Sequence, residues 1–333
     1  MALSFIGSRY PHTCPVIVHY CGTFRKGVQQ FKFTMSAANR AEQAPAPKKK
    51  VEQGDLVEAV MQPCPSPVCD IGVNLVDSAY NQDREAVIDR ARRANVASMI
   101  VTGTCLSTSL AAKKLCEATT SYPLYFTAGV HPHTAKTCNS TTIPELRQLA
   151  SSPKCVAVGE CGLDFNRNFS PQDVQLQWFE EQVKLAVELR KPLFMHCRDA
   201  GSSFADVLRR YAPLPAPAVI HCFTGTKEEL SSFLELGLCI GITGWICDDR
   251  PERGGAELAS LLSSIPHDKL MLETDAPYLV PRTIKPNKAR PSRNEPALLS
   301  HVLQAAAQAQ GEEPAALAAR TNRVVKSVFG IDY

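Results

Sequence analysis

The chain has 333 residues, 44% of them hydrophobic and 21% charged, with a formal net charge of +3. That is ordinary for a globular protein, and it leaves room for a barrel of ~250 residues plus an extension; no apolar run approaches the ~20 residues of a membrane helix. Residues 1–67 carry eight Lys/Arg against four Asp/Glu, leaving 28 basic and 29 acidic residues for the rest, so the body is no polycation and any nucleic-acid contact must come from local patches.

In chain order, the first 41 residues hold five basic side chains and no acid. Pro45, Pro47, the run Lys48-Lys49-Lys50 and a Pro-rich stretch ending at Pro67 follow. The start, Met1 to Ile6, is too short and too weakly charged for a secretory signal. Residues 1–67 are expected to form a disordered or targeting extension, although serines are sparse for a transit peptide; a later start at Met35 is an alternative. The expected location is the cytoplasm, with the mitochondrion, another organelle or the nucleus as alternatives.

From residue 68 onward, short apolar runs alternate with amphipathic stretches. Strands are expected at 68–73, 98–102, 124–129, 155–159, 192–195, 218–220, 239–243 and 270–273. Helices are expected near 81–94, 107–119, 144–150, 172–190, 203–211, 227–236, 255–264, 296–310 and 314–329. The clearest runs from Gln175 to Leu189, where Leu176, Phe179, Val183, Ala186 and Val187 keep the helical period. Eight strands, each followed by a helix, predict an α/β fold of the (β/α)₈ type, with a doubly wound open sheet as the competitor.

Four ligand-type side chains sit at or just past strand ends. Glu160 follows strand four, His196 strand five and His221 strand six, while Asp275 lies beyond strand eight. In a parallel α/β fold these ends share one face, and that face carries the chemistry. Each residue alone is compatible with a satisfied buried polar group; four together point to a site for Zn²⁺, Mn²⁺ or Mg²⁺. His131 and His133 follow strand three on one side of the chain, stiffened by Pro132, and suit a metal or a substrate phosphate. Strand one carries Gly72 and Asn74 where many metal-dependent barrels place two histidines, so one metal subsite is expected to be weak.

The segment 281–294 holds Arg282, Lys285, Lys288, Arg290 and Arg293 and no acid. Loops after strands seven and eight of such barrels often bind phosphate, so Arg282, Arg290 and Arg293, with Arg198 and Arg167 past other strand ends, are candidate phosphate contacts. Phe165, Phe223, Trp245 and Tyr278 are candidate base-stacking residues. The thirteen cysteines include no C-x-x-C and read as buried reduced thiols in a reducing compartment. Cys161, Cys197 and Cys222 each follow a proposed ligand, and strand alternation is expected to point them away from it. The absence of a P-loop, G-x-G-x-x-G or G-x-S-x-G removes the usual support for nucleotide-driven, dehydrogenase and serine-hydrolase functions.

Six blocks carry a family resemblance: Asp70-Ile71-Gly72-Val73-Asn74-Leu75, Gly129-Val130-His131-Pro132-His133, Gly159-Glu160-Cys161-Gly162-Leu163-Asp164-Phe165, His196-Cys197-Arg198-Asp199-Ala200, His221-Cys222-Phe223-Thr224-Gly225 and Glu273-Thr274-Asp275-Ala276-Pro277-Tyr278. Together they resemble the TatD-type metal-dependent deoxyribonucleases, from about Val68 to Tyr333 and with the bacterial branch in particular. The resemblance implies a TIM barrel of the amidohydrolase type and Mg²⁺-dependent cleavage of nucleic-acid phosphodiesters. The activity implied is commonly that of a 3′→5′ exonuclease on single strands, in DNA repair or DNA fragmentation. It carries over Glu160, His196 and His221 as metal ligands and Asp275 as ligand or base. Single-stranded DNA is the expected partner, RNA a further substrate, and no membrane is involved. A small-molecule amidohydrolase or esterase and a non-catalytic nucleic-acid-binding protein are the alternatives.

Overall fold

In the computed structural model, which describes residues 52–331, eight parallel strands stand side by side in chain order. They are β1 (Val68–Val73), β2 (Val96–Val101), β3 (Leu124–Ala128), β4 (Cys155–Asp164), β5 (Leu193–Arg198), β6 (Ala218–Ile220), β7 (Cys239–Ile242) and β8 (Leu270–Leu272). The residues just past β8 return to β1: Val73 and Ala276 form a parallel bridge. The Asn74 N–H donates to the Ala276 carbonyl at 2.8 Å and the Asp275 N–H to the Gly72 carbonyl at 2.9 Å. A sheet that runs one to eight without a switch and comes back on itself is a (β/α)₈ barrel, not a doubly wound sheet.

The helices are α1 (Gln53–Val60), α2 (Arg84–Arg93), α3 (Leu106–Ala118), α4 (Thr142–Ala150), α5 (Gln172–Leu189), α6 (Gly201–Arg209), α7 (Lys227–Glu235), α8 (Gly255–Leu261), α9 (Leu299–Gln310) and α10 (Pro314–Phe329). In α5 the predicted stripe is buried at Phe179, Val183 and Ala186. No helix among the described residues is long and apolar enough to cross a membrane. The eleven cysteines among the described residues are free thiols, as expected.

Strand alternation sorts the core into two layers. Ile71, Phe194, Val219 and Met271 pack together inside the barrel, and Val324, Val325, Val328 and Phe329 of α10 join them. Leu193, Met195, Ile220, Ile240 and Leu272 belong to the larger layer beneath the surrounding helices. A period of two then puts His196 in step with Phe194, and His221 in step with Val219, so both face the barrel axis. The site's first two imidazoles are therefore aimed by the pleat alone.

One boundary needs correction. The extension expected over residues 1–67 contains α1, which belongs to the barrel's own compact unit. Val57 is fully buried in the outer layer. Gln53 Nε2 donates to the Arg293 carbonyl at 2.8 Å, and the Ser292 hydroxyl donates to Gln53 Oε1 at 2.8 Å. The run from Pro45 to Pro67 masked an eight-residue helix whose apolar face is covered by distant segments. The expectation of disorder or targeting otherwise concerns residues that lie outside those described. We predict that a chain beginning at residue 68 melts several degrees below one beginning at residue 52. Losing the burial of one valine costs about 2 kcal/mol, and each kcal/mol moves Tm by about 2–4 °C in a large domain. Equal melting temperatures by calorimetry would contradict this.

Candidate metal centre and active site

Glu160 is the hub. Its Oε1 lies 3.3 Å from His131 Nε2, 3.3 Å from His196 Nδ1 and 3.7 Å from His221 Nε2. Asp275 Oδ1 stands 4.0 Å from His221 Nε2. Ligand atoms of His131, Glu160 and His196 lie within 4.8 Å of one another, and so do those of His221, Cys222 and Asp275. The barrel thus brings together all four residues expected from the strand ends, with His131, expected from strand three, beside them.

The two strand-end imidazoles are each held from behind by a buried carboxylate. Glu273 Oε2 accepts from His221 Nδ1 at 2.7 Å. Asp164 Oδ2 lies 3.3 Å from His196 Nε2 and 2.7 Å from His133 Nε2. One nitrogen of each ring is committed to a carboxylate and the other faces Glu160, which is the arrangement that metal-binding histidines require. His131 differs. Its Nδ1 accepts the His133 backbone N–H at 3.1 Å, so the neutral ring carries its proton on Nε2 and presents a donor, not a lone pair, to the site.

The electrostatics also suit a cation. Burial would raise Glu160, but His131 and His221 outweigh it and hold the carboxyl well below its usual range. Burial would lower His221, but Glu273 and Glu160 push it up to about 10. Burial pushes Asp275 up to about 7; His221 opposes the rise, and Glu160 and Glu273 add to it. Three acids, Glu160, Glu273 and Asp275, therefore crowd around His221, and a divalent cation relieves that crowding. With these donors, and with both rings held from behind, the residues present fit a divalent metal.

Glu273 and Asp164 were not among the expected site residues. Glu273 is fully buried, and a Cβ on Gly72 would lie 2.2 Å from its Oε2. Strand one is therefore not simply short of a ligand: the missing side chain at Gly72 makes the space that Glu273 fills to reach His221. Asn74 is a support as well, donating from Nδ2 to Asp275 Oδ1 at 2.9 Å. Strand four, expected to end at residue 159, runs on to Asp164 as β4. Continuing the alternation from Glu160 through Gly162 would have found it. Asp164 Oδ1 also accepts the Arg167 N–H at 2.8 Å. Burial opposes its ionisation, yet hydrogen bonds to His133 and His196 hold it well below the carboxylate range.

Two buried glutamines on α5, two turns apart, lock the loops beneath the site. Gln175 accepts the Asp164 N–H at 2.8 Å and donates to the Asp164 carbonyl at 3.1 Å. Gln182 treats Val130, next to His131, the same way at 2.7 and 3.1 Å.

His131, Glu160, Asp164, His196, His221 and Asp275 line a cavity of about 560 Å³, together with Thr104, His133, Arg167, Arg198, Trp245 and Tyr278. Arg282, Arg290 and Arg293, expected to contact phosphate, do not line it. Arg293 binds Asp83 at 2.7 Å and Glu295 at 2.8 Å. Arg290 donates to the carbonyls of Arg282 and Ile284 at 3.1 and 3.3 Å. Arg282 pairs with Asp249 at 3.0 Å. Acids distant in sequence thus engage Arg282 and Arg293, and backbone carbonyls of its own loop engage Arg290. Cys161 does face away, buried in the outer layer, but Cys197 and Cys222 line the cavity. Cys222 has left the strand, with a φ of 47°, so alternation no longer governs it. Of the proposed aromatics, Phe223 is buried and Phe165 packs on the core, while Trp245 and Tyr278 reach the cavity with Phe169, which was not foreseen.

Comparison with known proteins matches residues 69–330 to the model of the TatD related DNase family. The chain belongs to the TatD-related DNase family. Two relatives named 3′-5′ ssDNA/RNA exonuclease TatD are each 48% identical to it. That of Rahnella sp. (strain Y9602) aligns over 262 residues, 79% of this chain and 98% of its own. That of Escherichia fergusonii aligns over 265 residues, 79% and 99%. The crystal structure of a TatD homologue from Escherichia coli K12 superposes with a TM-score of 0.71 at 27% identity, covering 80% of this chain and 98% of that one. The TatD match starts at residue 69, so α1 is an addition to the matched barrel that packs against it.

Proposed function

We propose that the chain is a metal-dependent nuclease that hydrolyses phosphodiester bonds of single-stranded DNA, and of RNA, from the 3′ end. The observation that carries this reading is the Glu160 oxygen facing two imidazoles whose other nitrogens are fixed by Asp164 and Glu273. The names of the two relatives support the substrate and the polarity. Glu160, His196, His221 and Asp275 would hold the ion, for which we propose Mg²⁺, with Mn²⁺ or Zn²⁺ as substitutes. When bound, such an ion supplies charge neutralisation at a phosphate oxygen and a lowered pKa for water.

The chain's own residues do the rest. Asn74 ties down Asp275 Oδ1, leaving Oδ2 to take a proton from the attacking water. His131 donates from Nε2 to a phosphate oxygen, and Arg167 and Arg198 contact neighbouring phosphates from the cavity wall. His133, paired with Asp164, adds a polar edge beside them. Phosphate contacts position a strand without reading its bases, so little sequence preference is expected. Purified protein with end-labelled single-stranded DNA and a panel of Mg²⁺, Mn²⁺, Zn²⁺ and EDTA tests the reading. Stepwise loss of nucleotides from the 3′ end, abolished by EDTA, is the expected result. Intact substrate with every metal would overturn it: binding without cleavage would select the non-catalytic alternative, and hydrolysis of small amides or esters alone the amidohydrolase one.

For location we propose the cytoplasm, a reading that the cysteine content, taken as reduced thiols, supports. Residues 1–67 fused to a fluorescent protein would reveal organellar or nuclear targeting.

A further inference from the structure

Among the described residues, Leu110, Phe169 and Tyr278 are the exposed large hydrophobic side chains, at 43%, 53% and 54%. Two of the three line the cavity above Glu160. Phe169 stands in the loop after β4, and its ring meets His133 edge-on at 4.7 Å. Tyr278 stands in the loop after β8, and its hydroxyl donates to Asp77 Oδ2 at 3.3 Å. Each ring is thus oriented by one contact and still keeps about half its surface in water.

The two rings border one cavity from loops whose strands lie on opposite sides of the barrel. The strands run one to eight around the sheet, and in an eight-stranded barrel the fourth and eighth lie opposite. Glu160, His196 and His221, from β4 to just past β6, lie along the arc between them, and Arg167 stands two residues before Phe169. A ligand that spans the mouth meets an aromatic face, then a site for a phosphate with cations beside it, then a second aromatic face. That sequence of chemistries matches two unpaired nucleobases joined through a phosphate. A duplex offers no free base faces, whereas an unstacked strand offers one per nucleotide.

We propose that Phe169 and Tyr278 are stacking platforms for the two bases that flank the scissile linkage, so that the substrate is a strand with at least two unpaired terminal nucleotides. This rests on the nuclease reading above. The experiment compares an intact oligonucleotide with strands abasic at the terminal or the penultimate position, on wild type, Phe169→Ala, Tyr278→Ala and the ring-preserving Phe169→Tyr and Tyr278→Phe. Binding is read by fluorescence anisotropy in EDTA, cleavage separately with metal. The wild type should bind the intact strand roughly tenfold more tightly than either abasic one. Each alanine variant should lose that preference at one position without a further penalty on the strand abasic there, and the ring-preserving variants should restore it. In cleavage the alanine variants should raise KM by a similar factor and leave kcat nearly unchanged. Equal affinity of the wild type for intact and abasic strands, or a preference that survives both alanine substitutions, would overturn the proposal. Absence of cleavage by the wild type would overturn the nuclease reading alone, because the anisotropy comparison is made without turnover.

Discussion

Replacing Glu160 by glutamine is expected to lower the single-turnover rate on 3′-labelled single-stranded DNA by roughly a thousandfold. Its Oε1 faces His131, His196 and His221 within 3.7 Å, and it is the hub to which both carboxylate-anchored rings point. Glutamine keeps the volume but removes the charge, and its amide nitrogen would meet ring nitrogens that need an anion or a cation between them. The fold should hold, because the Glu160 N–H still donates to the Gly103 carbonyl at 2.7 Å. Unchanged thermal unfolding together with calorimetric loss of metal binding is the accompanying signature. A Glu160→Gln protein with activity within tenfold of wild type would remove Glu160 from the centre of the site.

The second large effect concerns Glu273, which acts through His221. Its Oε1 accepts the Cys222 N–H at 2.6 Å while Oε2 accepts from His221 Nδ1. A glutamine here accepts one of these donors and turns its NH₂ toward the other. With the Cys222 N–H still satisfied, the NH₂ faces Nδ1, and the imidazole must move its proton to Nε2, the nitrogen that faces Glu160. The lone pair needed there for a metal is then gone. Metal affinity is expected to fall about 10- to 100-fold, as measured by titration calorimetry. Gly72→Ala should produce a comparable loss by a steric route, since its Cβ would lie 2.2 Å from Glu273 Oε2 and 3.2 Å from His221 Nδ1. Metal affinity unchanged in both variants would show that His221 is oriented without Glu273.

The two predictions differ in how far the sequence already pointed to them. Glu160, His196, His221 and Asp275 were legible because their signal is local: an apolar run, its end, and a polar residue in step with the inward face. The barrel was legible for the same reason, since eight apolar runs separated by amphipathic stretches leave few topologies open. Glu273 was in plain view beside Asp275, but its purpose depends on a vacancy across the sheet at Gly72 and a donor on β6, and neither neighbour is close in sequence. Asp164 was lost through a strand boundary drawn five residues early. The arginines of the 281–294 segment differ because charge can be counted from the sequence while its distant partners cannot: Asp83 meets Arg293, and Asp249 meets Arg282, only after folding.

The sequence by itself determined the alternation of strands and helices and the ligand-type residues gathered at the strand ends, because periodicity and strand ends are properties of consecutive residues. The tertiary structure alone decided which charges are free for a substrate. It also decided that Cys222 turns into the cavity, that α1 belongs to the barrel, and that Phe169 and Tyr278 stay exposed at the cavity. Each of these depends on which distant segment fills, or leaves empty, the space beside a side chain.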